Sequence, residues 1–457
     1  MTIQTSILNG ASGLDVRDTI NDTIKIVKQP RDRRRVTALG DSRVAAIWND
    51  IPKYMAKSAR SPLNLANAML GARMVIEATF GVSGDRTDQF FARLDAAIAT
   101  GAGTLYLQGG VNNIGFVASS GNVTYTHAVT NEVVGITNVA AVTARDLIAI
   151  ADKARAAGMH VVIEQEVGAN GFSPTEKLAA LMDLRTALSN YARLNPAVTL
   201  HDATPAVIQP GSLLYKTGYS ADGTHVNPRG AYYWGKSLAL TLDRVVPQNA
   251  GNILVASGFE IPANGRRQLL ANPIFNTATG GTLGTNASGT VPAGWQAKVT
   301  GPATVTVGVV AEANGLGNNV TLDVVATDTN AVVSLEQSLN GTSASPYWGS
   351  NLVAGDIVET IVKLEILGNP TNLTSAYVYS SFVTGSGGEA LDSFDLIADQ
   401  GTLGPNEPAI LILRTRRFTL PAAFGQYPYA IIGARFATSG AGNFSVKVHQ
   451  IALRRVG

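Results

Sequence analysis

Between residues 35 and 246 short apolar runs alternate with amphipathic ones. The runs at 36–39, 74–80, 104–108, 160–165 and 197–200 have the length and apolar character of buried strands. Between them, apolar positions recur at helical spacing: Leu147, Ile150, Ala151 and Ala154 share one face, and Leu181, Leu184, Leu188 and Tyr191 another. Val44, Ile47, Trp48, Ile51 and Met55 fit the same period, which predicts a helix directly after the first strand. Such alternation predicts an α/β domain: a parallel sheet with helices on both faces, binding its ligands at the carboxyl ends of the strands.

Beyond about residue 272 the helical period disappears. Val320, Leu322 and Val324 alternate with Thr321 and Asp323, and Phe444, Val446 and Val448 with Ser445 and Lys447. Runs at 410–413 and 430–436 add strands, and Asn340-Gly341, Gly387-Gly388 and Ala441-Gly442-Asn443 are turn signals. Many short strands of this kind predict an antiparallel sandwich of jelly-roll type. At 457 residues the chain is too long for one core. It divides into an N-terminal segment 1–30, an α/β domain 31–247, a linker 248–271 and a sandwich 272–457. The N-terminal segment predicts a short helix over 14–27, with Val16, Ile20, Ile24 and Val27 on one side and Arg17, Asp18, Asp22 and Lys25 on the other.

Composition removes several chemistries. The chain has no cysteine, which excludes disulfides, thiolate catalysis and zinc–sulfur sites. Its 35 basic and 33 acidic residues nearly balance, so nothing points to nucleic acid. Arg31, Arg33, Arg34 and Arg35 form one basic cluster, read as a solvated entry to the first strand rather than a polyanion site. No apolar stretch reaches the roughly 18 residues of a membrane span. Residues 1–15 lack the charged head and apolar core of a secretory signal, so we expect a cytoplasmic protein or one released by lysis.

Four blocks of the first domain carry candidate chemistry. The first strand runs into Gly40-Asp41-Ser42, a strand-to-helix turn that suits a nucleophile. Gly84 lies in a glycine-flanked turn after the second strand, Gly81-Val82-Ser83-Gly84-Asp85-Arg86-Thr87. Asn112 lies in Gly109-Gly110-Val111-Asn112-Asn113 after the third, and Asp222 and His225 precede the last helix in Asp222-Gly223-Thr224-His225-Val226-Asn227-Pro228. Asn227 suits a helix cap and Pro228 a first turn. Acyl transfer needs a deprotonated hydroxyl, donors where negative charge develops and an oriented imidazole. A tight turn with Asp222 three residues before His225 presents a carboxylate beside a ring. Taken singly, each residue has a plainer role as helix cap, turn glycine or surface loop; the four blocks together favour catalysis. Asp202 competes with Asp222 as the orienting carboxylate but has the poorer spacing. No histidine pair has metal-ligand spacing, so no metal and no cofactor is expected.

In this order, the blocks resemble the SGNH (GDSL-type) hydrolase family over about residues 35–246. The resemblance implies a three-layer α/β/α domain with Ser42 as nucleophile, His225 as base and Asp222 as its orienting partner. It implies an oxyanion hole formed by Ser42, Gly84 and Asn112. Asn113 stands where the family commonly has aspartate. The insertion 116–137 reads equally as a lip over the site, with Tyr125 touching substrate, or as a decorative hairpin.

Two further segments resemble bacteriophage tail proteins: residues 10–25, and the stretch from Leu269 to Trp295 that opens the sandwich. Such sandwiches resemble carbohydrate-binding jelly rolls, where Trp295, Tyr347, Trp348, Tyr377 and Tyr379 would offer stacking faces; the plainer reading makes Trp295 core and the tyrosines packed strand residues. The leading expectation is an esterase that removes O-acyl groups, O-acetyl foremost, from a bacterial surface polysaccharide. It would be part of a phage tail spike or fibre in the virion, attached to other tail proteins through the N-terminal segment; tail proteins are often trimers, so a homotrimer is one assembly it would support. The alternatives are a lipase or thioesterase of small acyl substrates and an inactive host-adhesion protein.

Overall fold

The computed structural model describes residues 31–51, 54–172, 175–248, 269–313, 315, 317–328, 330–340, 352, 354–383, 390–396, 404–420 and 429–456. The expected helix at 14–27, most of the linker, the turns at Gly341 and Gly387-Gly388, and Tyr347 and Trp348 lie outside them.

In the first domain the strands are β1 (Arg35–Gly40), β2 (Trp48–Ile51), β3 (Tyr54–Lys57), β4 (Val75–Gly81), β5 (Thr104–Gln108), β6 (Tyr125–Thr126), β7 (Val133–Val134), β8 (His160–Glu164) and β9 (Val198–His201). The helices are α1 (Ser42–Ala45), α2 (Pro62–Met69), α3 (Thr87–Ala99), α4 (Val111–Phe116), α5 (Val139–Ala156), α6 (Thr175–Leu194), α7 (Thr204–Val207) and α8 (Pro228–Leu242). Five strands form one parallel sheet in the order β4-β1-β5-β8-β9. Every residue of β5 and β8 is buried, as befits central strands covered on both faces. This is the three-layer α/β/α architecture. Its order places β1 between β4 and β5, so the loops leaving these three strands converge at one edge.

The second domain has strands β10 (Thr282–Leu283), β11 (Ala287–Gly289), β12 (Gln296–Thr300), β13 (Ala303–Ala311), β14 (Asn318–Ala326), β15 (Val332–Asn340), β16 (Ile357–Leu367), β17 (Leu373–Val383), β18 (Ala390–Leu396), β19 (Ala409–Arg414), β20 (Phe418–Thr419), β21 (Tyr429–Thr438) and β22 (Gly442–Arg455). One sheet runs β11-β13-β14-β22-β16-β19, with β20 also on β16, and the other β10-β12-β15-β21-β17-β18. They form a β-sandwich whose main strands are longer than the expected short ones; β22 has 14 residues. Trp295 is part of its core. It is 1% exposed, meets Phe275 edge-on and donates its indole N–H to the Asn272 carbonyl at 2.9 Å. That corrects its expected role as a sugar-stacking face, because no ring face reaches solvent. Tyr379 is likewise buried, with its hydroxyl on Glu336 at 2.7 Å.

The helix expected after Ser42 is one turn long. After it the chain turns back as the β2–β3 hairpin, and β3 pairs in parallel with β18 of the sandwich, in register from Asp392↔Tyr54 to Asp395↔Lys57. The reason was present in the sequence. Pro52 falls inside the apolar run, where it removes an N–H and excludes helical geometry from Ile51. A free sheet edge then recruits the extended segment. The α/β domain thus supplies the last two strands of the sandwich's larger sheet, and buried side chains of both domains form one continuous core. Tyr233–Asn406 (2.9 Å) and Lys236–Glu407 (2.7 Å) add polar ties across the junction.

Replacing Trp295 by alanine removes a buried aromatic and leaves a cavity. We expect Trp295→Ala to cost about 3–5 kcal/mol of unfolding free energy, measured by denaturant titration. A change within about 0.5 kcal/mol would contradict the core assignment.

Candidate active site

Ser42 begins α1 immediately beyond β1. Asp41 caps this turn by accepting the Arg43 N–H at 3.0 Å. On either side of Gly40 in the sheet lie Gly81 of β4 and Gln108 of β5, which places the Ser42 turn between the loops carrying Gly84 and Asn112. Gly84 has φ +84°, a left-handed conformation that glycine adopts without a side-chain penalty. The Asn112 amide donates one N–H to the Asp85 carbonyl at 2.8 Å, tying these two loops together. Its second N–H is then the one an oxyanion would take.

The fourth block closes the constellation. His225 Nε2 lies 2.8 Å from Ser42 Oγ, and His225 Nδ1 lies 2.8 Å from Asp222 Oδ2. With the proton on Nδ1 the ring donates to Asp222 and accepts from the Ser42 hydroxyl, the arrangement a general base requires. Partial burial opposes ionisation of Asp222, but the His225 and Thr224 N–H groups and the imidazole hold it well below the usual carboxylate range. The His225 and Asp222 side chains remain 44% and 57% exposed, so the site is open to a large substrate. Asn227 caps α8 by accepting the Gly230 N–H at 3.0 Å, with Pro228 in the first turn, as the motif predicts.

What holds this loop against the Ser42 turn is absent from the sequence reading. Arg43, beside the nucleophile, is buried and donates to both oxygens of Glu166 at 2.6 and 2.8 Å. The same guanidinium donates to the Gly168 carbonyl at 3.0 Å and the Thr224 carbonyl at 3.0 Å, and Tyr215 also donates to Thr224 at 3.1 Å. Asn170 donates its backbone N–H to Gly223 at 2.9 Å. Gly223 has φ +74°, and a Cβ there would meet the Asn170 side chain at 2.2 Å, so this close approach needs glycine. A weak signal was available: Glu166 is a charged residue shortly after the apolar run Val161–Ile163.

Other candidates fall elsewhere. Tyr125 is 6% exposed, accepts from the Asn113 amide at 2.9 Å and has the Arg86 guanidinium 4.2 Å above its ring. That corrects its expected contact with substrate: it packs the insertion onto the domain. Asn113 is buried and also accepts the Thr87 N–H at 3.1 Å, a structural link between α4 and the start of α3. His127 anchors the insertion through Asp146 at 3.1 Å. Asp202 pairs with Arg185 and accepts the Thr204 N–H at 2.9 Å, while Asp222 holds His225.

A cavity of about 310 Å³ opens beside Ser42 and His225. Ala45, Ala46, Pro62 and Trp234 supply apolar wall, and Arg60 and Gln108 supply polar groups.

Residues 38–232 match the GDSL-like Lipase/Acylhydrolase family. No curated protein matches the chain. Among solved structures, the chain is similar to a GDSL-like lipase from Bacteroides thetaiotaomicron VPI-5482 (14% identity, 50% of this chain and 96% of that one, TM-score 0.32). It is also similar to an acetyl xylan esterase (15% identity, 45% and 97%, TM-score 0.34). A third likeness is to carbohydrate-binding modules of the β-sandwich superfamily (16% identity, 35% and 56%, TM-score 0.26). Likenesses at these scores carry no functional argument.

Two outcomes test the supporting groups of the α/β domain. Arg43→Gln leaves Glu166 buried without its cation, and we expect a loss of about 3–5 kcal/mol in urea unfolding. Asp41 is 0% exposed and its Oδ2 has no hydrogen-bond partner; burial pushes its carboxyl up from 3.8 to about 6. The folded state therefore binds this proton more tightly than the unfolded state. The resulting stabilisation is complete below about pH 4 and lost as pH rises through about 6, a change on the order of 3 kcal/mol. Asp41→Asn keeps the cap and removes the titration, so its stability relative to wild type should rise between pH 4 and 7. Parallel stability curves would refute the assignment.

Proposed function

We propose that this protein is a serine esterase that removes O-acyl groups, O-acetyl foremost, from a bacterial surface polysaccharide. The observation that carries the reading is the Ser42–His225–Asp222 chain of hydrogen bonds, 2.8 Å at each link. Ser42 Oγ attacks the ester carbonyl as His225 Nε2 takes its proton. The developing oxyanion is met by the backbone N–H groups of Ser42 and Gly84 and the amide of Asn112. His225 then protonates the departing sugar hydroxyl. Water, activated by the same imidazole, attacks the acyl-enzyme and releases the acid.

Two features favour a short acyl group on a bulky alcohol. The cavity beside Ser42 is small and partly polar, which suits an acetyl group better than a long alkyl chain. The exposed imidazole leaves room for a polymer to lie across the site. The attached β-sandwich and the phage-like sequence segments are the grounds for the polysaccharide and for a place in a phage tail spike or fibre.

Full-length protein should release acetate from acetylated bacterial surface glycans and hydrolyse a short-chain aryl ester. Ser42→Ala should lower both by roughly 10⁴-fold or more, and Asn112→Ala should lower kcat by about 10²- to 10³-fold. Aryl-ester turnover without acetate release from any glycan would redirect the reading to small acyl substrates. An inactive wild-type protein would leave adhesion as its role.

A further inference from the structure

A second cleft lies where the α/β domain meets the sandwich, far from Ser42. It comprises two adjoining cavities of about 540 and 440 Å³, and Glu77, Arg414 and Arg417 line both. Arg35 and Glu77 mark its position at the amino-terminal end of the parallel sheet. With about 3.3 Å per strand residue, the length of β1 separates it from Ser42 by roughly 20 Å.

Its charges do not balance. Glu359, fully buried on β16, is shared by three guanidiniums: Arg454 at 2.7 Å, Arg417 at 3.0 Å and Arg414 at 3.9 Å. Lys57, from the invading β3, lies 3.8 Å from Asp395 on β18. Among the described residues, four cations of this cluster thus face two carboxylates, a surplus of two, or of one if buried Lys57 sheds its proton. Of the other basic side chains of the walls, Arg34 pairs with Asp32, Arg35 with Glu77 and Arg73 with Asp243, and Arg416 lies over the Trp48 ring at 4.9 Å. They neutralise none of the surplus. Arg414 is 4% exposed, and its Nε has no hydrogen-bond partner. Burial, with Arg454 and Arg417 alongside, pushes its guanidinium down to about 10, still charged at neutral pH. Although burial opposes ionisation, the same arginines hold Glu359 down at about 2, so it stays an anion.

Buried surplus charge is costly unless a counter-charge completes it, and an orphaned guanidinium N–H is a donor awaiting an acceptor. The planar fork of arginine matches carboxylate and phosphate oxygens. We propose that this interdomain cleft binds an oxyanion, the carboxylate or phosphate group of an anionic ligand, between Arg414 and Arg417 of the sandwich and the Arg35 wall of the α/β domain. Arg34 and Arg35, from the basic cluster at the entry to β1, are then part of one wall of a binding site rather than of a solvated run. The inference is independent of the esterase reading.

Calorimetric titration of the full-length protein at fixed ionic strength tests it with three probes: inorganic phosphate, trigalacturonate and neutral maltotriose. We expect saturable binding of phosphate, trigalacturonate or both, with Kd of about 1 mM or tighter, weakened roughly tenfold or more in Arg417→Gln. Phosphate alone would identify a free phosphate ligand, and trigalacturonate alone a sugar acid. Should Arg417→Gln fail to fold by circular dichroism, Arg35→Gln, on the half-exposed opposite wall, takes its place. The proposal is overturned if neither anion binds saturably at about 10 mM, if maltotriose binds as tightly, or if the folded variant binds like wild type.

Discussion

The buried ion pair of Arg43 and Glu166 is the interaction on which the active site depends. One guanidinium, next in sequence to the nucleophile, reaches the loop after β8 through Glu166 and Gly168 and the base-bearing loop through Thr224. Three chain segments far apart in sequence thereby share one rigid planar group. Burial would ordinarily disfavour that charge, but Glu166 more than offsets the penalty and keeps Arg43 protonated. A pair so deeply buried adds less to net stability than to uniqueness: its directional bonds are satisfied in one arrangement of the loops. That arrangement brings the His225 ring to Ser42.

A similar economy governs the junction of the domains. The β2–β3 hairpin leaves the α/β domain directly after the nucleophile turn and finishes a sheet of the sandwich. It satisfies the edge of β18, which would otherwise present open backbone groups, and it carries Lys57 into register with Asp395. The two domains are therefore interlocked through backbone pairing and a shared apolar core. The arginine-rich cleft is a product of this interlocking, since neither domain alone supplies both of its walls.

Much of this was legible in one dimension. The five strands of the parallel sheet fall within a residue or two of the apolar runs, because a strand covered on both faces must be apolar throughout. Ser42, Asp222 and His225 were legible for a related reason. Residues at strand ends and tight turns are placed by local chain geometry, so short motifs locate them. The misreadings had physical causes. Helical spacing at 44–55 was outweighed by Pro52 and by a waiting sheet edge, and sequence left Tyr125 and Trp295 open between substrate contact and packing because an aromatic reads alike in a core and on a surface.

Sequence by itself determined the α/β and all-β halves, the order of the strand-end loops and the residue types an acyl-transfer site requires. Only the tertiary structure decided which charges meet. Glu166 lies 123 residues from Arg43, and Glu359 lies 95 from Arg454. Ion pairing of this kind follows from proximity in space, which no local period encodes. It is these long-range pairs that fix the Ser42–His225 geometry and gather the arginines around Glu359 between the domains.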